Sequence, residues 1–405
     1  MKQSTPLSRP SAGYISLALL VAQLVFADNT VAQTSVELLG TVQISPSFTS
    51  WSFKTPIAQD SFTVRSVTQF AIPATVSLAL GTRWVFDASR AYQIGSVAVT
   101  DANGVDRTLT LKGGTDLKLR LVGRVKGDHV RLTVGVNAPT GATKLAGTDV
   151  DAIRIIGAPA LRLPVASLGS GFGGTVGVVF ATQAAGWGLA AGTSYELRGN
   201  YSPIEASIAG AALPTDLNPA DAVHITLGAD RIVRSGRVSI LGSADVYGED
   251  ELTISRRGSA PVTGTYKLGP SLSALMAVDF GVRGFREFSL TVVDRYRSAF
   301  RGIDGASVAG SNGNFLDANV RAVSGVANHF GLMYGVDAHL DSGQEVDNSI
   351  ATAAVTTVGA LFGVSIPYRT NAIQPYVRAQ FGSLDTGLAS TSLAGFSAGV
   401  TLTAR

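Results

Sequence analysis

The sequence predicts an all-β protein, an antiparallel up-and-down transmembrane β-barrel of about fourteen to sixteen strands, with short periplasmic turns and long extracellular loops. Three observations carry that expectation. Apolar and polar residues alternate with period two along most of the chain, which gives each strand one apolar and one polar face. Turns of a few residues alternate with much longer connections. The polar face is built mainly of Ser, Thr, Gly and Asn with spaced charges, as suits a water-filled lumen; a sandwich face turned to bulk water would carry more Lys, Glu and Asp.

Thr115–Asn137 states the rule most clearly. Leu117, Leu119 and Leu121 alternate with Asp116, Lys118 and Arg120, and Val130, Leu132, Val134 and Val136 alternate with His129, Arg131, Thr133 and Asn137. Lys126-Gly127-Asp128 between them is a short polar turn, so the two arms are expected to pair as a hairpin.

Taken in order, the chain opens with Lys2 and Arg9 ahead of an apolar run from Tyr14 to Ala27, the pattern of a secretory signal peptide over 1–32 cleaved after Ala27 or Ala32. Residues 33–405 are expected to form a single barrel domain. Ser35–Ser45 reads as the first strand. Val67–Leu80 follows, with Phe70, Ile72, Val76, Leu78 and Leu80 on its apolar face and Pro73 marking a bulge or an edge. Gly81-Thr82-Arg83 turns the chain into a strand opened by Trp84 and Phe86, large aromatics of the kind a membrane interface attracts. Gln93–Gly114 reads as a long polar stretch. Residues 138–170 are the longest irregular segment, containing Pro139, Pro159 and Pro164, with an inward-folded plug or constriction as one reading of it.

The hairpin unit then repeats at Gly171–Thr182 with Gly186–Arg198, Asp221–Arg231 with Arg237–Tyr247, and Pro270–Val282 with Phe285–Arg297. Phe315–Ala327 with Gly331–Asp341, Ala353–Ile366 with Ile373–Ser383, and a last strand Ser392–Ala404 complete the series. Gly199–Ala220, Gly248–Gly269, Ser298–Asn314 and Asp341–Thr352 are the long connections on one side. Strands of about 10 to 13 residues suit a tilted membrane span, and a mean hydropathy of +0.26 is high for a secreted soluble chain. A large secreted all-β or β-helical protein is the alternative fold.

Composition narrows the function. With no Cys in 405 residues, thiol nucleophiles and Cys-ligated metals are excluded. A net charge of +3, spread without a Lys/Arg run, gives no footing for nucleic acid. Asp337, His339 and Asp341 share one strand face, but ligands at period two lie roughly 7 Å apart and splay instead of chelating. Gly171-Phe172-Gly173-Gly174 precedes no helix and is no phosphate loop, and no Ser-His-Asp order or nucleophile elbow is present. No catalytic, metal or cofactor site is therefore expected, and the protein is read as no enzyme.

The polar parity supplies the candidates for a pore wall: Lys118, Arg120, Arg124, Arg131, Arg198, Arg231, Asp230, Asp279, Asp337 and His339. With Arg237, Arg283, Arg295, Arg321 and Arg378 against Asp116, Glu196, Asp245, Glu287 and Asp341, the wall is mixed with a slight cationic excess. Such a lumen passes small solutes and mildly favours anions, or its opposite charges pair across strands and only fill the barrel.

The segments QFAIPATVSLALGTRWVFDASRAY, DLKLRLVGRVKGDHVRLTVGVNAPTG and GWGLAAGTSYELRGNYSPI resemble the outer-membrane proteins of the phenol meta-degradation-pathway family, which are similar in style to the fatty acid transporter barrels. The likeness runs from Val67 to Ile204. It implies a Gram-negative outer-membrane channel or transporter for passive uptake of small hydrophobic or aromatic molecules. A porin-like pore for small polar or anionic solutes, and a structural or surface-binding barrel without transport, stand as alternatives. Expected partners are the outer-membrane bilayer, small solutes and, during biogenesis, the barrel assembly machinery.

Overall fold

The computed structural model describes residues 40–404 apart from 60, 127–128, 146, 205–212, 234–235, 256–259, 282–284, 286, 303–304, 328–329, 345–348 and 369–370. The signal segment, residues 35–39 of the expected first strand, the Gly127-Asp128 turn, Arg283 and His329 lie outside the described residues.

Alternation becomes strands in two sheets, a large one and a small one. In chain order they begin with β1 (Gly40–Ile44), β2 (Ser47–Ala58), β3 (Phe62–Leu80), β4 (Trp84–Asp101), β5 (Asp106–Gly114), β6 (Leu117–Lys126) and β7 (Val130–Ala138). After helix α1 (Thr148–Ile156) come β8 (Gly173–Ala184), β9 (Trp187–Arg198), β10 (Leu213–Asn218), β11 (Ala222–Val233), β12 (Gly236–Tyr247), β13 (Asp250–Ser255) and β14 (Val262–Tyr266). The chain ends with β15 (Ser271–Phe280), β16 (Glu287–Arg297), β17 (Gly313–Ala327), β18 (Phe330–Asp341), β19 (Ala354–Tyr368), β20 (Asn371–Asp385) and β21 (Ser390–Ala404).

Each barrel strand pairs antiparallel with its sequence neighbour, and the two ends of the chain close the ring. Val42 pairs with Ala404 on one side and Val76 on the other, and Trp51 pairs with Gly395 and Val67. β1 and β2 are thus two halves of one strand, and β5 and β6, both on β4, are halves of another, so the eighteen-stranded sheet is a closed sixteen-stranded barrel. Closure satisfies backbone groups that an open edge would leave bare in hydrocarbon.

The outer face is apolar. Val134, Val136, Val176, Phe180, Leu227, Val336, Val358 and Phe381 are all exposed, on the parity opposite to Arg120, Thr175, Thr226 and Asp337. At roughly 25 cal/mol per Å² this surface is costly in water and at ease in lipid. No helix is long and apolar enough to cross a membrane among the described residues; the strands do the crossing.

Two expectations change. The first strand does not stop at Ser45: after a break at Ser45-Pro46 the chain resumes as β2 to Ala58. The break faces Pro73, whose missing N–H and fixed φ explain the interruption, with Ile44 opposite Ala74 and Ser47 opposite Ala71. Gln93–Gly114 is no loop either. β4 runs on to Asp101 and returns as β5, Val97 opposite Leu109 and Gly95 opposite Leu111. The pattern misled because polarity inverts there: Leu109 and Leu111 are buried inward while Thr108, Thr110 and Lys112 are exposed outward. These strand tops are solvated outside and packed inside.

Short turns lie at the end that carries Gly40 and Ala404. Ala185 and Gly186, both at positive φ (51° and 77°), make the tight reversal between β8 and β9, one step later than the expected Gln183-Ala184-Ala185. At the opposite end the two connections read as loops, Gly199–Ala220 and Gly248–Gly269, contribute β10, β13 and β14 to a three-stranded antiparallel sheet.

Candidate functional site

Pro139 follows the last residue of β7, and the chain from there to Phe172 packs against inward side chains of the barrel. Asp116, buried at the β5–β6 joint, ties both ends of this segment: its carboxylate accepts the Gly141 N–H at 2.8 Å and the Ser170 N–H at 2.6 Å. Between those ends α1 presents Ala152, Ile155 and Ile156 to Val97, Val99, Leu109 and Leu111 in one buried cluster. Gly95 lets Ile156 approach, since a Cβ there would collide with its side chain.

Polar contacts fix the register of the segment. Trp51, 1% exposed, donates its Nε1–H to the Leu161 carbonyl at 2.7 Å. Gln69 binds the backbone of Val165 twice, donating to its carbonyl at 2.7 Å and accepting its N–H at 3.0 Å, and also donates to Gln93. Buried amides satisfied in this way rigidify what they hold.

Arg162 carries the segment to the far wall. Its backbone is left-handed (φ 48°), an uncommon conformation for a side-chain-bearing residue, and its guanidinium lies 3.0 Å from Asp317 and 4.0 Å from Asp337. Burial pulls its pKa below the ordinary value while Asp317 works in the other direction. Asp337 also accepts from Arg378, whose Nε is 2.9 Å away. His339, fully buried, sets Nδ1 3.2 Å from Asp317 and its ring edge-on to Phe315. Asp337 and His339 are engaged in this network, and no metal-holding group occurs among the described residues.

Beside the segment the lumen keeps a cavity of about 670 Å³ between β6, β7, β8, β9 and β11, roofed by residues of the loop sheet. Lys118 and Arg120 stand on its wall, Arg120 bonded to Asp87 at 2.8 Å, which in turn accepts Ser77 at 2.6 Å. Arg124 and Arg131 face each other in register near the short-turn end. Arg198 bonds Glu196 at 3.2 Å and lies 5.2 Å from the centre of the Tyr247 ring. Asp230 pairs with Arg237 at 3.2 Å, and Asp279 is the register partner of Arg237 on β15.

Arg231 does not belong with them. Adjacent strand residues point to opposite faces, so with Asp230 inward, Arg231 is outward, its guanidinium 5.7 Å from the centre of the Trp187 ring near the short-turn end. A long cationic side chain so placed can lie along apolar surface while its charge reaches towards water.

His224, which alternation places inward with Thr226 and Asp230, sits 2.8 Å from Asp245 and 3.1 Å from Glu196 on the cavity wall. The cavity roof holds Asp250, Tyr201 and Tyr266, which carry no signal in the sequence. Trp51 falls between the expected strands Ser35–Ser45 and Val67–Leu80, whereas Gln69 belongs to the polar face of the second. Only the alternation of Thr49, Trp51 and Phe53 could have pointed to the inward tryptophan.

No protein-family model matches the chain, and no curated protein matches it. Similar solved structures include the TodX monoaromatic hydrocarbon channel deltaS2 mutant, at 9% identity and TM-score 0.46 over 90% of each chain. A Pseudomonas aeruginosa FadL homologue matches at 8% identity and TM-score 0.44, again over 90% of each. OmpTdeltaL8, an outer membrane protein of Vibrio cholerae, matches at 11% identity and TM-score 0.40, over 90% of this chain and 99% of the other.

Proposed function

We propose that the protein is an outer-membrane channel for small molecules, exported by its N-terminal signal and inserted with its short turns in the periplasm. The observation that carries this reading is the reversal of polarity across a closed wall. Outside, Val134, Val136 and Leu227 offer hydrocarbon to lipid; inside, Lys118, Glu196 and Thr226 surround a cavity of about 670 Å³. A wall apolar outside and wet inside is what lets a polar solute cross without desolvation.

The segment 139–172 is the natural restriction, because it leaves solutes the cavity side of the lumen and fills the other side with packed apolar groups. The charged lining favours small polar or ionic solutes over hydrocarbons. Planar-bilayer recording of the refolded chain tests this: small, stable single-channel currents are expected, and a barrel that shifts mobility on boiling yet never conducts would sink the channel reading.

A further inference from the structure

Asp250 roofs the cavity and is 1% exposed. Its Oδ1 accepts the Ala220 N–H at 2.7 Å, the Tyr266 hydroxyl donates to the carboxylate, and Oδ2 has no further well-aligned donor among the described residues. An ionised carboxylate has about four acceptor sites, so a buried one that borders a cavity and receives two donors keeps capacity for a ligand. Glu196, the other acidic group on this wall, is already engaged by Arg198 and His224.

Two phenols share the roof. Tyr201 and Tyr266 both line the cavity, and burial first, with the Asp250 carboxylate adding to it and Arg198 opposing it, holds each hydroxyl above the usual phenol range. They stay neutral and present aromatic rings near a carboxylate, the combination that recognises an ammonium group. On the cavity wall formed by β6, Lys118 offers an exposed cation. With Arg120 bonded to Asp87 and Arg198 to Glu196, Asp250 and Lys118 give the cavity an acidic roof and a cationic wall.

We propose that this cavity binds a small zwitterion, its ammonium group on Asp250 beside Tyr201 and Tyr266 and its anionic group towards Lys118. This rests on the channel reading and names the class of solute that the channel selects.

The test uses the full chain in planar bilayers with 4-aminobutyrate as probe and butyrate and butylamine as single-charge controls. Expected is interruption of the ionic current by 4-aminobutyrate at concentrations where neither control acts. Asp250→Asn, which keeps an oxygen for the Ala220 N–H, should weaken that interruption by roughly tenfold or more. Lys118→Gln, on the exposed wall, should weaken it as well and guards against a roof variant that fails to fold. Equal interruption by the controls, or an effect unchanged in Lys118→Gln and in folded Asp250→Asn, overturns the proposal. Should the barrel carry no current, the channel reading fails by itself. Calorimetry on the detergent-solubilised chain then decides the site: Asp250-dependent binding of 4-aminobutyrate upholds it, and no binding overturns it.

Discussion

The guanidinium of Arg162 reaches across the lumen to lie 3.0 Å from the carboxylate of Asp317. One residue at the tip of the inserted segment is thereby joined to the wall opposite the one on which α1 packs. The segment is held at its ends by Asp116, along its length by Trp51 and Gln69, and at its tip by this ion pair.

Removing the tip contact should loosen the restriction. The Arg162 side chain is 27% exposed and Asp317 is 21% exposed, so the pair is partly desolvated and worth about 1–3 kcal/mol to docking of the segment. Arg162→Gln should therefore raise mean single-channel conductance or its open-state fluctuations, while Arg378 still covers Asp337 and preserves the barrel. Identical current records for the variant and the parent chain would show that the tip is no latch.

The alternation itself can be tested at two adjacent positions. Leu227 is 62% exposed on the outer face, and Thr226 beside it lines the cavity. Leu227→Arg should cost roughly 2–4 kcal/mol if that level lies near the bilayer midplane, whereas Thr226→Arg meets water. Refolding into lipid vesicles followed by urea titration checks the difference, and equal losses would contradict the assigned faces.

Arg120 and Arg131 should differ as selectivity determinants. Arg120 neutralises Asp87, so Arg120→Ser removes a cation and also uncovers a carboxylate. Its reversal potential in a salt gradient should move towards cations further than that of Arg131→Ser, whose position faces Arg124 in register. Unchanged reversal potentials in both would exclude these arginines from ion selection.

Alkaline pH should act on the roof of the cavity. The phenols of Tyr201 and Tyr266 are raised, chiefly by burial, above the ordinary value of about 10. A raised folded-state pKa means that their contribution is complete below the unfolded value and is lost as pH climbs through the folded one. Phenolate absorbance should show a late-titrating fraction that Tyr201→Phe and Tyr266→Phe remove.

The hairpin of β6 and β7 was legible because its residues obey one environment throughout: Leu119, Leu121, Val134 and Val136 meet lipid, and Lys118, Arg120 and Thr133 meet the lumen. The strand tops were not legible, since at Leu109 and Leu111 the inner face is the dry one. Arg231 directly follows the inward Asp230, so parity sends it outward whatever its charge. Asp250 gave no signal, being one of several carboxylates in a long connection.

The sequence by itself determined the barrel class, the order of the hairpins and the face most residues take, because period two is a local property and lipid rewards one parity. Only the tertiary structure decided how 139–172 enters the lumen, and how Arg162, Asp317, Asp337, His339 and Arg378 pair with one another inside it. Those contacts join residues far apart in the chain, and their energies depend on burial that no local pattern encodes.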